Sequence, residues 1–533
     1  MTLGDLLVQM ARQRPDAAAI IDEHAGAGRA RRLTFAELEA EVSAAAAWLH
    51  AQGLRRGDAV LVFVPMSAAL YVALLAMFRL GVVALFLDPA AGREHMDRCC
   101  ARWTPAAFLA VPKAHLLRLR SAALRRIPRK FVLGRCWLPG ARCWLGGRNS
   151  EAIRPDEVQA AGPDDAALVT FTSGSTGVPK AAVRTHAFLL AQYRALAPSI
   201  ELVAGEVDLA TLPVFTLANL AAGVATLIAP VDLRRPGEVD AGAVFAAARR
   251  HRVDRITASP AFFERLIIHA RTCGETLPGL RKLHTGGAPV FPRLLEGLRE
   301  LAPDARAVAV YGSTEAEPIA HLAREELSAE DLAAMRTGKG LLAGHPVASI
   351  KVRVLRDRWG EPRPPTDAAG LEGETLPAGE VGEIAVAGAH VISGYLGGIG
   401  DAETKWHVEG EVWHRTGDAG HFDEQGRLWL QGRCAARIDD THGRLYPFGV
   451  ECTAMSFSEV VRAAVVAHAG RRLLVVEMKR LQPGAEDDLV RQLREATAWA
   501  HVAAVHRIVR MPVDGRHNAK IDYVRLRAWV ERL

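Results

Sequence analysis

The sequence predicts an α/β protein with a large N-terminal domain of layered parallel sheets and helices, a β-rich subdomain, and a small α+β C-terminal domain. Three observations predict it. Helices alternate with continuous apolar strands through the first two thirds of the chain, the pattern of parallel sheets covered on both faces. After about Val347 the texture changes to short β-rich segments. From about Cys434 a strand pair, a helix and a lysine-bearing tail form a separate set. The boundaries drawn are 1–432 and 433–533.

Each element has a local cause. Thr34 and Glu37 stand as a capping box before an Ala-rich helix that runs to about His50 and ends at Gly53. GDAVLVFVP follows as a buried strand closed by Pro65, then a helix from Ala68 to Leu80 stops at Gly81 before the strand VVALFLD. The rhythm recurs at 201–229 and 251–286, where RITASP and KLHTGG end strands beside loops. SIKVRVL, GEIAVAG and GRLWLQG are the later strands, with Arg356–Pro377, rich in Pro, Gly and acid, expected as an exposed connection. RAAVVAHAG and RLLVVEMKR form the terminal strand pair, followed by a helix from Ala485 to Trp499.

The 533 residues are 50% apolar and 24% charged, which excludes a disordered or fibrous chain. Seven cysteines without CxxC pairing support neither a disulfide framework nor a zinc ribbon. Asp5 stands where a signal peptide would carry a basic flank, and the longest apolar stretch, 68–87, is interrupted by Arg79 and Gly81. The expectation is a cytoplasmic protein with no transmembrane segment. The net charge is +6, yet Cys99 to Arg148 alone holds eleven basic residues and no acidic one. That block reads either as a solvated helical face, since HLLRLRSAALRR spaces Leu and Arg helically, or as a docking surface for an acidic partner such as an acyl carrier or pathway enzyme. Without interleaved aromatics it does not suggest nucleic acid.

Four segments carry chemistry. In LVTFTSGSTGVPKAAVRTH an apolar run empties into Thr172, Ser173, Gly174, Ser175, Thr176 and Gly177, with Lys180 following. Glycines admit close backbone approach, hydroxyls and N–H groups donate to phosphate oxygens, and a lysine adds a mobile cation. Two residues separate Gly177 from Lys180, so this is no Walker A loop. Tyr311, Gly312, Ser313, Thr314 and Glu315 follow the apolar run AVAV, at the strand end where open α/β sheets bind ligands. Tyr311 can stack on a base, Thr314 can donate to phosphate, and Glu315 can hold a magnesium ion. Asp418, in Thr-Gly-Asp, can accept from both ribose hydroxyls, and Arg433 can pair with phosphate or ribose. Lys520 lies in the polar stretch PVDGRHNAKI.

In this order and spacing, the four blocks resemble the adenylate-forming superfamily of acyl-CoA synthetases, luciferases and adenylation domains, over nearly the whole chain from Thr34 to Arg527. The resemblance implies ATP and Mg2+ as cofactors, a small-molecule carboxylic acid as substrate, and a C-terminal domain that moves. It places Thr172, Ser173, Thr176 and Lys180 in a phosphate loop, and Gly286, Gly287, Ala288 and Pro289 as a wall of the adenine and acyl pocket. Tyr311 would lie on the base, Glu315 at the magnesium and Asp418 at the ribose, with Lys520 as the catalytic lysine. Phe215, in LPVFTLANL, is a candidate acyl-pocket wall or ordinary core.

The chain departs from the thioester-forming pattern at three places. The position of the domain hinge is Ala435, Pro447–Glu451 keeps only the second of two acids, and the tail ends Asn518-Ala519-Lys520. The alanine hinge, the tail, and Pro318 after the Tyr311 motif are similar to the β-lactone synthetases of bacterial long-chain olefin biosynthesis. That branch implies a β-hydroxy acid activated as its adenylate and closed to a β-lactone by its own hydroxyl, with coenzyme A not required. The alternatives are a conventional fatty acyl-CoA ligase, an acyl-AMP ligase loading a carrier, and a degenerate nucleotide-binding scaffold.

Overall fold

The computed structural model describes residues 2–24, 30–87, 92–134, 138–144, 161–173, 179–482, 484–513 and 520–532. The chain divides into two compact units, Met1–Leu233 with Gly242–Thr257 and Gly394–Asp401, and Arg234–Ala241 with Ala258–Ser393 and Ala402–Leu533.

The first unit holds the predicted parallel layers. In one sheet Ala59–Phe63 lies between Ala107–Ala110 and Val83–Phe86, and Ala166–Ser173 extends the row, all parallel. Only the last pair, Ala166–Ser173 with Pro179–Thr185, is antiparallel. Every residue of Ala59–Phe63 is buried, which is why the strand reads as an unbroken apolar run. The helix Phe35–Ala51 starts as expected: Thr34 Oγ1 accepts the Glu37 N–H at 3.2 Å, and the Glu37 carboxylate accepts the Thr34 N–H at 2.8 Å. A second parallel set pairs Val207–Ala210 with Ala225–Ile228 and with Arg255–Ala258. Beneath it Asp208 is fully buried. It accepts from Asn219 at 2.9 Å and Thr257 at 3.0 Å, which ties the helix Pro213–Ala222 to the sheet.

Two expectations about exposed segments are corrected. HLLRLRSAALRR is not one helical face: Ser121 caps a new helix, Ala122–Arg126, after a 3-10 turn at Leu116–Leu119. Its hydroxyl accepts the Leu124 N–H, and that cap breaks the run where Leu/Arg spacing alone would continue it. The Arg356–Pro377 connection is also partly structured. Asp367 caps the helix Ala368–Glu374, and the side chains of Asp357 and Arg363 are buried.

In the second unit a mostly antiparallel sheet runs Lys351–Leu355, Gly382–Ala387, Glu411–Phe422, Leu428–Arg433, Leu341–Pro346, Ala320–Ala323 and Arg306–Tyr311. Lys282–Gly286 joins it in parallel with Arg306–Tyr311. The terminal residues form a three-stranded sheet, Val460–His468, Arg471–Met478 and Val502–Ile508. Its strands alternate between two cores. Val465, Leu474 and Val476 pack with Leu489 and Leu493 of the helix Ala485–Ala496, whereas Val466, Leu473 and Val475 pack with Leu526 and Val530 of the helix Tyr523–Val530. Both faces are therefore covered, the period-two consequence of strands apolar on every residue. The helix expected to reach Trp499 ends at Ala496. Thr497 then bonds back to the Leu493 carbonyl at 2.7 Å, and a 3-10 turn follows at Ala498–Ala500.

Candidate active site

In the second unit, parallel pairing brings the carboxyl ends of Lys282–Gly286 and Arg306–Tyr311 side by side, with Gly286 opposite Val310. A Cβ at Gly286 would fall 2.5 Å from the Val310 carbonyl oxygen, so only glycine allows this approach. Gly287 adopts φ +83, the left-handed turn that leads into Ala288 and Pro289.

Tyr311 ends its strand with the phenol aimed at Asp418. Its hydroxyl donates to Asp418 Oδ2 at 2.8 Å, and Arg433 donates to Oδ1 at 2.8 Å. Asp418 and Arg433 are direct cross-strand partners, and a bulge at Ala419/Gly420 re-aims the strand there. The Asp418 N–H is held by Thr416 Oγ1 at 3.0 Å. Burial and the neighbouring carboxylate push the Tyr311 phenol well above its ordinary value, so it stays a donor. Each Asp418 oxygen retains acceptor capacity beyond the bond it makes here, enough for a vicinal diol. Three residues expected to serve base, ribose and phosphate are thus brought into one hydrogen-bonded chain.

The Ser313–Pro318 loop is a tight turn. Ser313 Oγ accepts the N–H groups of Glu315 and Ala316, both at 3.2 Å, and Ser313 N–H reaches the Ala316 carbonyl at 2.8 Å. The loop is fastened to the strip after Gly382–Ala387: Ile392 N–H donates to the Glu315 carbonyl at 2.8 Å, Ala316 bridges Val391, and His390 Nε2 meets the Pro318 carbonyl at 2.9 Å. A single carboxylate of this kind suits a hard cation that keeps most of its water and takes its other ligands from phosphates. Among the described residues no group of three or more His, Cys, Asp or Glu could form an all-protein metal site.

In the first unit Lys180 faces Thr172 across the hairpin, and Ser173 faces Pro179. Gly174, Ser175, Thr176 and Gly177 lie outside the described residues, as do the side chains of Thr172 and Ser173. The Lys180 ammonium lies 5.7 Å from the Tyr395 ring centroid, and a Cβ at Gly400 would come within 2.6 Å of its Cε. Tyr395 is itself held by a bond from its N–H to Asp401 at 2.8 Å. Phe215 is buried in the helix Pro213–Ala222.

Lys520 is exposed, one residue before the isolated bridge that pairs Val513 with Ile521. Behind it, Tyr523 donates to the buried carboxylate of Glu451. The one acid kept in Pro447–Glu451 is therefore a structural tie under the lysine segment.

Sequence reasoning missed Tyr395, Gly400, Lys405, His414 and Asp357. The Gly-Tyr and repeated glycines of 394–400 were the available signal for the first two. Lys405 and His414 lie three-dimensionally beside the Glu315 loop and carry no motif. Asp357, buried, accepts from Tyr446 at 2.7 Å and pairs with Arg437 at 3.2 Å, which anchors the segment after Arg433.

The sequence profile of AMP-binding enzymes matches residues 7–396. The chain belongs to the AMP-binding enzyme family. It is an adenylate-forming ligase, as the four motifs implied. It is 33% identical to an olefin beta-lactone synthetase of Stenotrophomonas maltophilia, covering 98% of this chain and 97% of that one. The olefin beta-lactone synthetase of Xanthomonas campestris pv. campestris is also 33% identical, over 98% and 96%. Among solved structures, the amide bond synthetase McbA of Marinactinospora thermotolerans superposes with a TM-score of 0.80 at 24% identity, over 99% of each chain, a likeness of fold. No described helix is long and apolar enough to cross a membrane.

Proposed function

We propose that this ligase adenylates a β-hydroxy fatty-type acid with ATP and closes it to a β-lactone, releasing pyrophosphate and then AMP. The observation that carries the reading is full-length 33% identity to two olefin beta-lactone synthetases. The alanine at hinge position 435 agrees with it. In the first step a substrate carboxylate oxygen bonds to the α-phosphorus as the bond to pyrophosphate breaks. In the second, the β-hydroxyl oxygen attacks the acyl carbonyl, its proton passes to solvent water, and the bond from the acyl carbon to the phosphate oxygen breaks so that AMP leaves as the ring closes. The second nucleophile is already tethered, so proximity replaces a thiol co-substrate and coenzyme A is not needed.

Tyr311 and Asp418 hold adenosine, with Arg433 orienting Asp418. The 172–177 loop and Lys180 take the phosphates, with Thr314 donating to them. Gly286 to Pro289 and Phe215 bound the adenine and acyl side. Magnesium on Glu315 would neutralise phosphate charge as two anions meet. Lys520, delivered by a moving domain of residues 433–533, stabilises the carboxylate and the departing oxygens. We assign the enzyme to the cytoplasm and the basic block to an acidic acyl-carrying partner: Leu116 and Leu119 are 48% and 77% exposed there, beside the exposed Lys113, Arg120, Arg125 and Arg126.

The test is one incubation of the purified protein with ATP, magnesium and a racemic long-chain 3-hydroxy acid, with and without coenzyme A, products read by mass spectrometry. Lactone and AMP without coenzyme A support the reading. A thioester formed only with coenzyme A assigns the chain to the conventional ligases, and no AMP under any condition marks a scaffold.

A further inference from the structure

Lys405 opens the strand Lys405–Val408 and is 3% exposed, opposite His414 in the antiparallel register. Withdrawing an ammonium from water is unfavourable unless good partners meet it. A straight apolar side chain would fill the same slot opposite His414 without that cost, so strand stability alone does not call for the charge. Its ammonium donates to the Ile392 carbonyl, and His414 Nδ1 lies 3.2 Å from that ammonium and 3.2 Å from the Thr404 carbonyl. Burial, then the ammonium itself, hold the His414 ring down at about 3, so the ammonium meets a neutral ring.

The arrangement points at Glu315. Ile392, whose carbonyl takes the ammonium, uses its N–H to hold the Glu315 carbonyl at 2.8 Å. Val391 bridges Ala316 next to it. The Glu315 carboxylate also acts on the His414 ring as a nearby negative charge. One buried cation therefore anchors the strip on which the loop hangs and lies in the same electrostatic cluster as its carboxylate.

We infer that Lys405 is a positioning residue for Glu315: anchored on the Ile392 carbonyl with the His414 ring beside it, it fixes the 391–392 strip and presents the Glu315 carboxylate to a divalent cation on the nucleotide phosphates. The inference rests on Glu315 as the metal-side carboxylate, the role given it above. Lys405 itself touches neither nucleotide nor substrate in this account.

The test compares wild type, Lys405→Met, Lys405→Arg and Glu315→Gln. Binding of Mn2+·ATP is followed by electron paramagnetic resonance, and binding of AMP without metal by calorimetry. Glu315→Gln sets the scale: unchanged Mn2+·ATP affinity there removes Glu315 from the metal and fails the underlying reading. With that scale established, Lys405→Met is expected to weaken Mn2+·ATP about tenfold and leave AMP within twofold, because AMP depends on Tyr311 and Asp418. Lys405→Arg, which keeps the charge, is expected to recover most of the loss. Wild-type Mn2+·ATP affinity in folded Lys405→Met, or an equal loss of AMP and Mn2+·ATP, overturns the inference. Should Lys405→Met not fold, His414→Leu, which removes the ring 3.2 Å from the ammonium, replaces it; a selective loss of about threefold is expected, and no selective loss is overturning.

Discussion

The Tyr311 phenol and the Asp418 carboxylate are joined by a 2.8 Å hydrogen bond between the end of one strand and the middle of another, 107 residues apart in sequence. The bond fixes the aromatic ring and the acid as one unit, and Arg433 completes it from the neighbouring strand. Tyr311→Phe keeps the ring and removes the donor, so AMP should bind roughly tenfold more weakly, the low end of the about 1.5–3 kcal/mol that a hydrogen bond to a charged group is worth. Asp418→Asn should lose more, because it also strips Arg433 of its partner. Calorimetric titration with AMP checks both; equal affinity in all three proteins would remove the pair from the nucleotide site.

Lys520 is exposed on a short terminal segment, so its removal disturbs no core. Lys520→Ala should unfold at the wild-type temperature and lose about two to three decades of ATP–pyrophosphate exchange, the cost of deleting one well-placed cation from a charge-building transition state. Undiminished exchange would dismiss it from the adenylation step.

Gly400 lies at φ +97 with the Lys180 chain against its missing Cβ. Gly400→Ala should cost about 1 kcal/mol of stability from the left-handed backbone and push Lys180 from its place on Tyr395. The expected result is a rise in KM for ATP larger than the fall in kcat, measured by steady-state kinetics. Unchanged KM would separate the place of Lys180 on Tyr395 from ATP binding.

Glu451 gives a pH signature. Burial pushes its carboxyl from 4.5 up to about 7 despite the Tyr523 hydroxyl and the Val465 N–H. The folded state therefore holds a proton that the unfolded chain releases above pH 4.5. The stability this contributes is complete below pH 4.5 and is lost as pH rises through 7. Between pH 5 and 8 the melting temperature of wild type should fall, by the equivalent of about 1–3 kcal/mol, and Glu451→Gln should flatten that slope. Parallel slopes in the two proteins would refute it.

Much of this was legible in the chain. The Thr34/Glu37 box, the buried strands and the four motif blocks announce themselves because their causes are local: a cap three residues long, an apolar run, a glycine at a strand end. The ends of elements were less legible, as at Ser121 and Thr497, where one hydroxyl redirects a helix that its spacing would prolong.

By itself, then, the order of residues determined the α/β class, the family and the identity of the acid, the arginine and the tyrosine that would meet. Folding alone decided what supports them. Lys405 and His414, Asp357 and Tyr446, Lys180 and Gly400 are distant or unremarkable along the chain, and only strand register and loop closure bring each pair together. A motif records side chains that face a ligand. The groups behind them are selected by the neighbours that burial gives them, and those neighbours exist only once the sheet has formed.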